Sequence, residues 1–210
     1  CWSATKGPAA ACALHALQEA KVPLEAPVAE VWPEFGTAGK DKVTMSDLLA
    51  HRAGLAVLEL DGLDVFALEG VAAALAAQAP NWEPGTAHGY APRTFGYLLD
   101  ALVRRTAGLP LGAYWRKALG DPLALQFWIG LPAELDGHVA RMHAARVGDL
   151  KEPGLFEKAL ADRASLTARS FARPSGLAGA AATNRPEVWR ASIPSFGGIG
   201  NARSLARFYD

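Results

Sequence analysis

Cysteine is scarce: Cys1 and Cys12 are the two thiols in 210 residues, too few for a disulfide framework, and neither belongs to a CxxC pair of the metal-binding kind. An oxidising compartment is not required. Charge of one sign is also lacking, since 21 basic and 21 acidic side chains cancel to a formal net charge of zero. With no field to gather phosphate backbones or anionic lipid, nucleic acid and membrane surfaces are disfavoured as partners. No apolar run approaches the roughly 18 residues of a spanning helix; the longest helix-like apolar block lies around Val71 to Ala77. His15, His138 and His143 share no ligand spacing with one another or with Cys12, so neither a metal nor any other cofactor is expected. A basic, apolar leader ending in small residues is missing before Cys1. The compartment and the oligomeric state stay open, with a cytoplasmic setting favoured.

What is present is half apolar and one-fifth charged, the composition of a globular protein of one or two domains, which excludes disorder and points to a small-molecule partner. The start at Cys1, close to a helix, and the stop at Asp210, within a helix that Asn201 can cap, lead us to expect a chain cut at both ends. Residues 1–210 are expected to form a single, partial domain.

Apolar spacing predicts an amphipathic helix over 9–20, with Ala10, Ala13, Leu14 and Leu17 on one face. Thr44 can cap a short helix carrying Leu48 and Leu49 and closed by Gly54. Val71 to Gln78 is Ala-rich and helical, and the turn chemistry of Asn81 to Thr86 leads into a loop, His88 to Pro92. A strong helix follows, striped by Phe95, Leu98, Leu99, Leu102 and Val103 and stopped by Gly108. A shorter one spans Leu111 to Leu119, Phe127 to Gly130 is a strand candidate, and Leu150 to Ala164 returns to helix. Between Ser165 and Ser195 the signal is poor, as of a long excursion over a site or a loosely ordered stretch. A last helix carries Ala202, Leu205, Ala206 and Tyr209. Helices dominate, and strands are too few for a complete sheet.

Ser3-Ala4-Thr5-Lys6 is an S-x-x-K motif at a helix start. Spacing of i to i+3 puts the lysine amine on the same face as the serine hydroxyl. A serine hydroxyl needs such a neighbour, because it must lose its proton as it attacks a carbonyl, and a lysine serves only if burial or nearby positive charge lowers its pKa. About one S-x-x-K is expected by chance in a chain of this length. The plain alternative is a serine N-cap beside a solvated lysine. Pro8 sits late for a first turn beginning at Ser3, since it removes a bond to the carbonyl of Ala4, so regular helix is expected to begin nearer Lys6.

Context comes from two further blocks, Thr44-Met45-Ser46-Asp47-Leu48-Leu49-Ala50-His51-Arg52-Ala53-Gly54-Leu55 and Trp82-Glu83-Pro84-Gly85-Thr86-Ala87-His88-Gly89-Tyr90. In this order the three blocks resemble the serine β-lactamase-like hydrolases, particularly the class C-like branch that includes carboxylesterases. There a S-x-T-K helix, a T-x-x-x-L-L-x-H-x-x-G-L segment and a W-x-P-G-x-x-x-x-Y loop recur. The resemblance runs from residue 1 to about 132; Ile193 to Tyr209 also resembles the helix before that family's final strands, whereas 140–190 aligns with nothing.

The resemblance implies an α+β, β-lactamase/DD-peptidase-like fold, of which this chain holds a mostly helical part lacking much of the antiparallel sheet. It implies that Ser3 is acylated, that Lys6 is its base or proton relay, and that the Tyr90 phenol faces the serine. The Ser3 N–H is then one donor of an oxyanion hole. Lys6 and Tyr90 are expected to titrate as a unit. A third motif of K-T-G or H-x-G type does not follow Tyr90. Lactamase members place Asn two residues after this tyrosine, where Pro92 stands here without amide donors. This shifts the expected substrate from a β-lactam towards a carboxylic ester or related acyl compound, with β-lactam or D-Ala-D-Ala peptide hydrolysis and a non-catalytic binding homologue as alternatives.

Other residues have plainer readings. His51, near a helix end, is expected to satisfy terminal carbonyls. His88 either lines an acyl pocket or is a turn residue. Trp2 and Trp128 either pack or wall an acyl site, and Trp82, Trp115 and Trp189 are packing anchors. Gly197-Gly198-Ile199-Gly200 is expected to be a flexible bend, since the G-K-[ST] of a phosphate loop is absent.

Overall fold

The computed structural model describes residues 1–143, 154–177 and 179–210. A 3-10 turn, Trp2–Thr5, opens the chain and leads into helix α1, Lys6–Glu19. As the third residue of α1, Pro8 lacks an amide hydrogen that would in any case have no intrahelical partner, which is why regular helix begins at Lys6. The buried face of α1 is Ala9, Cys12, Ala13, Ala16 and Leu17, not the one read from Leu14, which is 43% exposed. The small side chains of that face let α1 lie against the later helix α4, and this close approach overrides the position of the bulkier leucine.

Helix α2, Met45–Leu49, begins with a reciprocal cap: Thr44 Oγ1 accepts the Asp47 amide at 3.0 Å, and the Thr44 amide donates to Asp47 Oδ2 at 3.3 Å. It ends at Leu49 rather than near Gly54, because His51 adopts a left-handed backbone with φ of 59°. Helix α3 covers Leu68–Ala77 and helix α4 covers Phe95–Ala107. Gly108, at φ 70°, closes α4 by donating its amide to the Arg104 carbonyl at 3.0 Å. The expected stripe of α4 is buried together with Asp100, whose carboxylate accepts the Leu111 amide at 2.8 Å and pairs with Arg104 Nε at 2.7 Å.

Helix α5, Leu111–Trp115, passes into a π-helical turn, Arg116–Gly120, where one helix to Leu119 was expected. Trp115 Nε1 donates to the Phe127 carbonyl at 2.7 Å and so ties this segment to strand β1, Phe127–Ile129. Strand β1 pairs antiparallel with β2, Gly198–Gly200, in the register Phe127 to Gly200 and Ile129 to Gly198. The expected bend is therefore a strand. A side-chain carbon at Gly198 would lie 2.5 Å from Phe127 Cζ and 2.7 Å from Thr5 Oγ1, so glycine serves close approach there.

The described residues between Ser165 and Ser195 form short helices. Helix α6, Leu155–Ala161, covers the described part of the helix expected over Leu150 to Ala164; residues 150–153 of that expectation lie outside the described residues. It stops at Ala161, where Asp162 turns the chain by accepting the Ala164 amide at 3.0 Å. Helix α7, Leu166–Ala172, is capped by Ser165, helix α8 covers Gly179–Thr183, and helix α9, Pro186–Arg190, opens on its proline. Caps and arginine contacts rather than apolar periodicity hold this excursion: Arg93 Nη1 donates to the carbonyls of Pro174 and Gly176 at 2.8 and 2.9 Å. Helix α10, Ala202–Tyr209, starts at Asn201, which accepts the Ser204 amide at 2.8 Å. Tyr209, placed on its apolar stripe, is 65% exposed; Phe208 packs on Trp115 instead, ring centroids 5.4 Å apart. One buried cluster, anchored by Trp32, Phe35, Tyr97, Trp115 and Phe127, runs beneath these elements. Among the described residues the sheet has two strands, and no helix is long and apolar enough to cross a membrane.

Candidate active site

The 3-10 turn and the first turn of α1 bring Ser3 and Lys6 to one side, with Lys6 Nζ 3.3 Å from Ser3 Oγ. Tyr90 enters from the loop between α3 and α4, and its hydroxyl donates to Ser3 Oγ at 2.8 Å. Lys6 Nζ also stands 5.2 Å from the centroid of the Tyr90 ring. The three residues expected to converge do so.

Lys6 is buried, 8% exposed, and donates to the carbonyls of Pro92 and Ser195, both at 2.8 Å. No carboxylate pairs with it among the described residues. Burial without a counter-charge lowers its pKa from 10.5 to about 7. Two fixed carbonyls occupy two N–H directions, and the third points to Ser3. As an ammonium, Lys6 donates to that hydroxyl; as an amine, it turns a lone pair towards it. One geometry thus accommodates both ends of a proton transfer.

The remaining expected residues divide. Pro92 is buried and takes part through its carbonyl oxygen on Lys6. Trp2 is 47% exposed, with its ring 5.1 Å from that of Phe196. Both line a cavity of about 380 Å³ with Met142, Leu177, Val188 and Trp189. Trp128 lies outside that cavity, under the Arg116 guanidinium at 5.2 Å. His88 is exposed and meets the ring of His51 edge-on at 6.1 Å. His51 does not cap carbonyls: its Nδ1 accepts the Ala91 amide at 3.1 Å, because the left-handed turn after α2 swings the ring onto the tyrosine loop. Burial, then the charges of Lys6 and His88, lower its pKa to about 4 and keep the ring neutral.

Two supporting residues escaped sequence reasoning. Thr5 is wholly buried; its hydroxyl donates to the Trp2 carbonyl at 2.6 Å and accepts the Gly198 amide at 2.9 Å, fastening the Ser3 turn to β2. Ser195 is wholly buried, accepts the Gly96 amide on Oγ at 2.7 Å and donates to the Arg93 carbonyl. Its own carbonyl is thereby held against Lys6. A small hydroxyl in a segment without periodicity carries no signal of that task.

A family model described as beta-lactamase matches residues 1–210. The chain belongs to the beta-lactamase family. Among curated relatives it is 33% identical over 217 residues to the esterase/beta-lactamase LipL of Mycobacterium tuberculosis (strain ATCC 25618 / H37Rv), covering 99% of this chain and 49% of that protein. Among solved structures, a family VIII carboxylesterase is 33% identical with a TM-score of 0.83, over 99% of this chain and 53% of the other. EstA from Arthrobacter nitroguajacolicus Rue61a has the same identity and TM-score, over 99% and 54%. The chain thus spans about half the length of the relatives it matches. Its fold is the α+β fold of the beta-lactamase family, shared with the DD-peptidases, represented here by its helical part and a two-stranded piece of sheet.

Proposed function

We propose that this beta-lactamase-family chain carries the nucleophile and proton relay of a serine hydrolase that cleaves a carboxylic ester, or a related acyl compound, through a Ser3 acyl-enzyme. Residues 1–210 are, in this reading, part of a single hydrolase domain acting on a small molecule. The observation that supports it most is the convergence of the Lys6 amine and the Tyr90 phenol on Ser3 Oγ, at 3.3 and 2.8 Å. Ser3 Oγ attacks the acyl carbon while its proton passes to the Lys6 and Tyr90 pair; the pair returns a proton to the departing alcohol. Water then adds to the acyl-enzyme, gives its proton to the same pair and releases the acid as Ser3 recovers its hydrogen. The pair acts as a unit, since both members touch the same oxygen.

Pro92 favours an ester over a β-lactam. Its carbonyl is engaged by Lys6 and its ring nitrogen bears no hydrogen, so position 92 offers no side-chain amide to a substrate amide. Of the relatives, the solved carboxylesterase is named for ester cleavage alone, whereas LipL is named for both activities. The test uses the full-length protein with a fluorophosphonate probe. Labelling of the wild type that disappears in Ser3→Ala supports the acyl-enzyme; an unlabelled wild type favours a binding homologue. Turnover of a short-chain nitrophenyl ester beside a chromogenic cephalosporin separates the substrate classes, and rapid cephalosporin cleavage with inert esters overturns the ester preference.

A further inference from the structure

We propose that His51 is the positioning residue for Tyr90, holding the phenol on Ser3 by gripping the backbone on both sides of the tyrosine; this rests on the hydrolase reading above. The Gly89 amide donates to the His51 carbonyl at 3.1 Å, and the Ala91 amide donates to His51 Nδ1 at 3.1 Å. One residue thus accepts from the positions immediately before and after Tyr90. The left-handed backbone, φ 59°, presents carbonyl and ring to the same short segment. The ring is stacked on Phe95 at 4.3 Å and lies 5.3 Å from that of Tyr90, so it is braced against α4 while it holds the loop.

Tyr90 needs such a hold. It is 42% exposed, its ring meets Phe171 at 6.5 Å, and burial alone does not set its direction. A shift of the phenol by about 1 Å is enough to cost on the order of a hundredfold in rate. The grip requires a neutral imidazole with its hydrogen on Nε2, because a protonated ring places an N–H against the Ala91 N–H. Among the described residues the groups facing the ring are the Lys6 amine, the His88 imidazole, the Tyr90 phenol ring and apolar Phe95, none of them a carboxylate that would favour the charged form. The lowered pKa of His51 is consistent with a permanent acceptor at neutral pH.

Two variants in the full-length protein separate positioning from packing. Asparagine and glycine both accept a left-handed backbone, but only asparagine places an acceptor, Oδ1, where Nδ1 stood. His51→Gly is expected to lower kcat for a nitrophenyl ester at least about tenfold with KM changed less than about twofold, whereas His51→Asn stays within about threefold of wild type. In a Tyr90→Phe background the His51→Gly loss should vanish, since the hydroxyl being positioned is gone. Amide hydrogen exchange gives a reading independent of turnover: Ala91 should lose protection in His51→Gly and keep it in His51→Asn. Unchanged Ala91 exchange in His51→Gly, an asparagine variant as slow as the glycine one, or an undiminished loss in the Tyr90→Phe background each overturns the assignment. If the wild type proves inert to esters and to the fluorophosphonate, the hydrolase reading fails, and the exchange measurement still decides whether His51 holds the loop.

Discussion

Lys6 Nζ lies 2.8 Å from the carbonyl oxygen of Ser195, a residue 189 positions away in the chain. The amine is therefore set by three separate segments: its own helix, the tyrosine loop through Pro92, and the approach to β2 through Ser195. Burial brings the lysine within reach of neutral pH, and none of these segments supplies a negative charge to offset it.

The pH profile follows with a definite sign. In the proposed relay Lys6 can take up a proton only as the neutral amine, and burial lowers its pKa to about 7. For an uncharged nitrophenyl ester, kcat/KM is expected to climb with pH through a midpoint near that value and level off above it. The rate of fluorophosphonate labelling should follow the same curve. A profile that is flat between about pH 6 and about pH 9 speaks against the amine as base.

Tyr90→Phe removes the hydroxyl on Ser3 Oγ and leaves the ring. A loss in kcat of about a hundredfold or more, with KM little changed, is expected if the phenol acts in proton transfer. Steady-state kinetics with one ester decides it.

Thr5 is judged by stability rather than turnover. Thr5→Val keeps the shape but strips the Gly198 amide and the Trp2 carbonyl of their partner, costing about 1–3 kcal/mol; Thr5→Ser retains both bonds and should cost less than half as much. Urea unfolding of the three proteins compares them, and equal midpoints for valine and serine remove the fastening role.

His51 makes stability fall on the acid side. Its pKa is lowered from 6.5 to about 4 in the folded chain, so the unfolded chain takes up the proton first. The His51 contribution is complete above about pH 6.5, declines as the pH drops towards 4, and changes no further below it. His51→Asn should flatten that part of a stability-against-pH curve measured by urea unfolding.

Much of this arrangement was legible in the chain. The caps at Thr44 and Asn201, the glycine stop at Gly108 and the shift of regular helix to Lys6 follow from local rules about which backbone groups lack partners. Ser3, Lys6 and Tyr90 were singled out because a serine, a lysine and a tyrosine stand at these positions inside recurring blocks, and the structure brings the three together. Some misses are local, as where His51 ends α2 and Asp162 ends α6, but others come from contacts between distant segments. Leu14 lost the buried face of α1 to a row of alanines because α4 comes close. Gly198 to Gly200 became a strand because it pairs with Phe127 to Ile129, an approach that the lack of a side chain at Gly198 permits. The tasks of Thr5, His51 and Ser195 depend on partners dozens to hundreds of positions away, which no periodicity announces.

The Ser195 contact also bears on when the nucleophile becomes competent. A chain that has emerged only as far as Tyr90 already holds Ser3, Lys6 and Tyr90, yet the lysine still lacks the Ser195 carbonyl that anchors it. With less burial the amine's pKa is expected to stand nearer its ordinary value of 10.5. The proton relay proposed above is thus complete only once the region around Ser195 has docked.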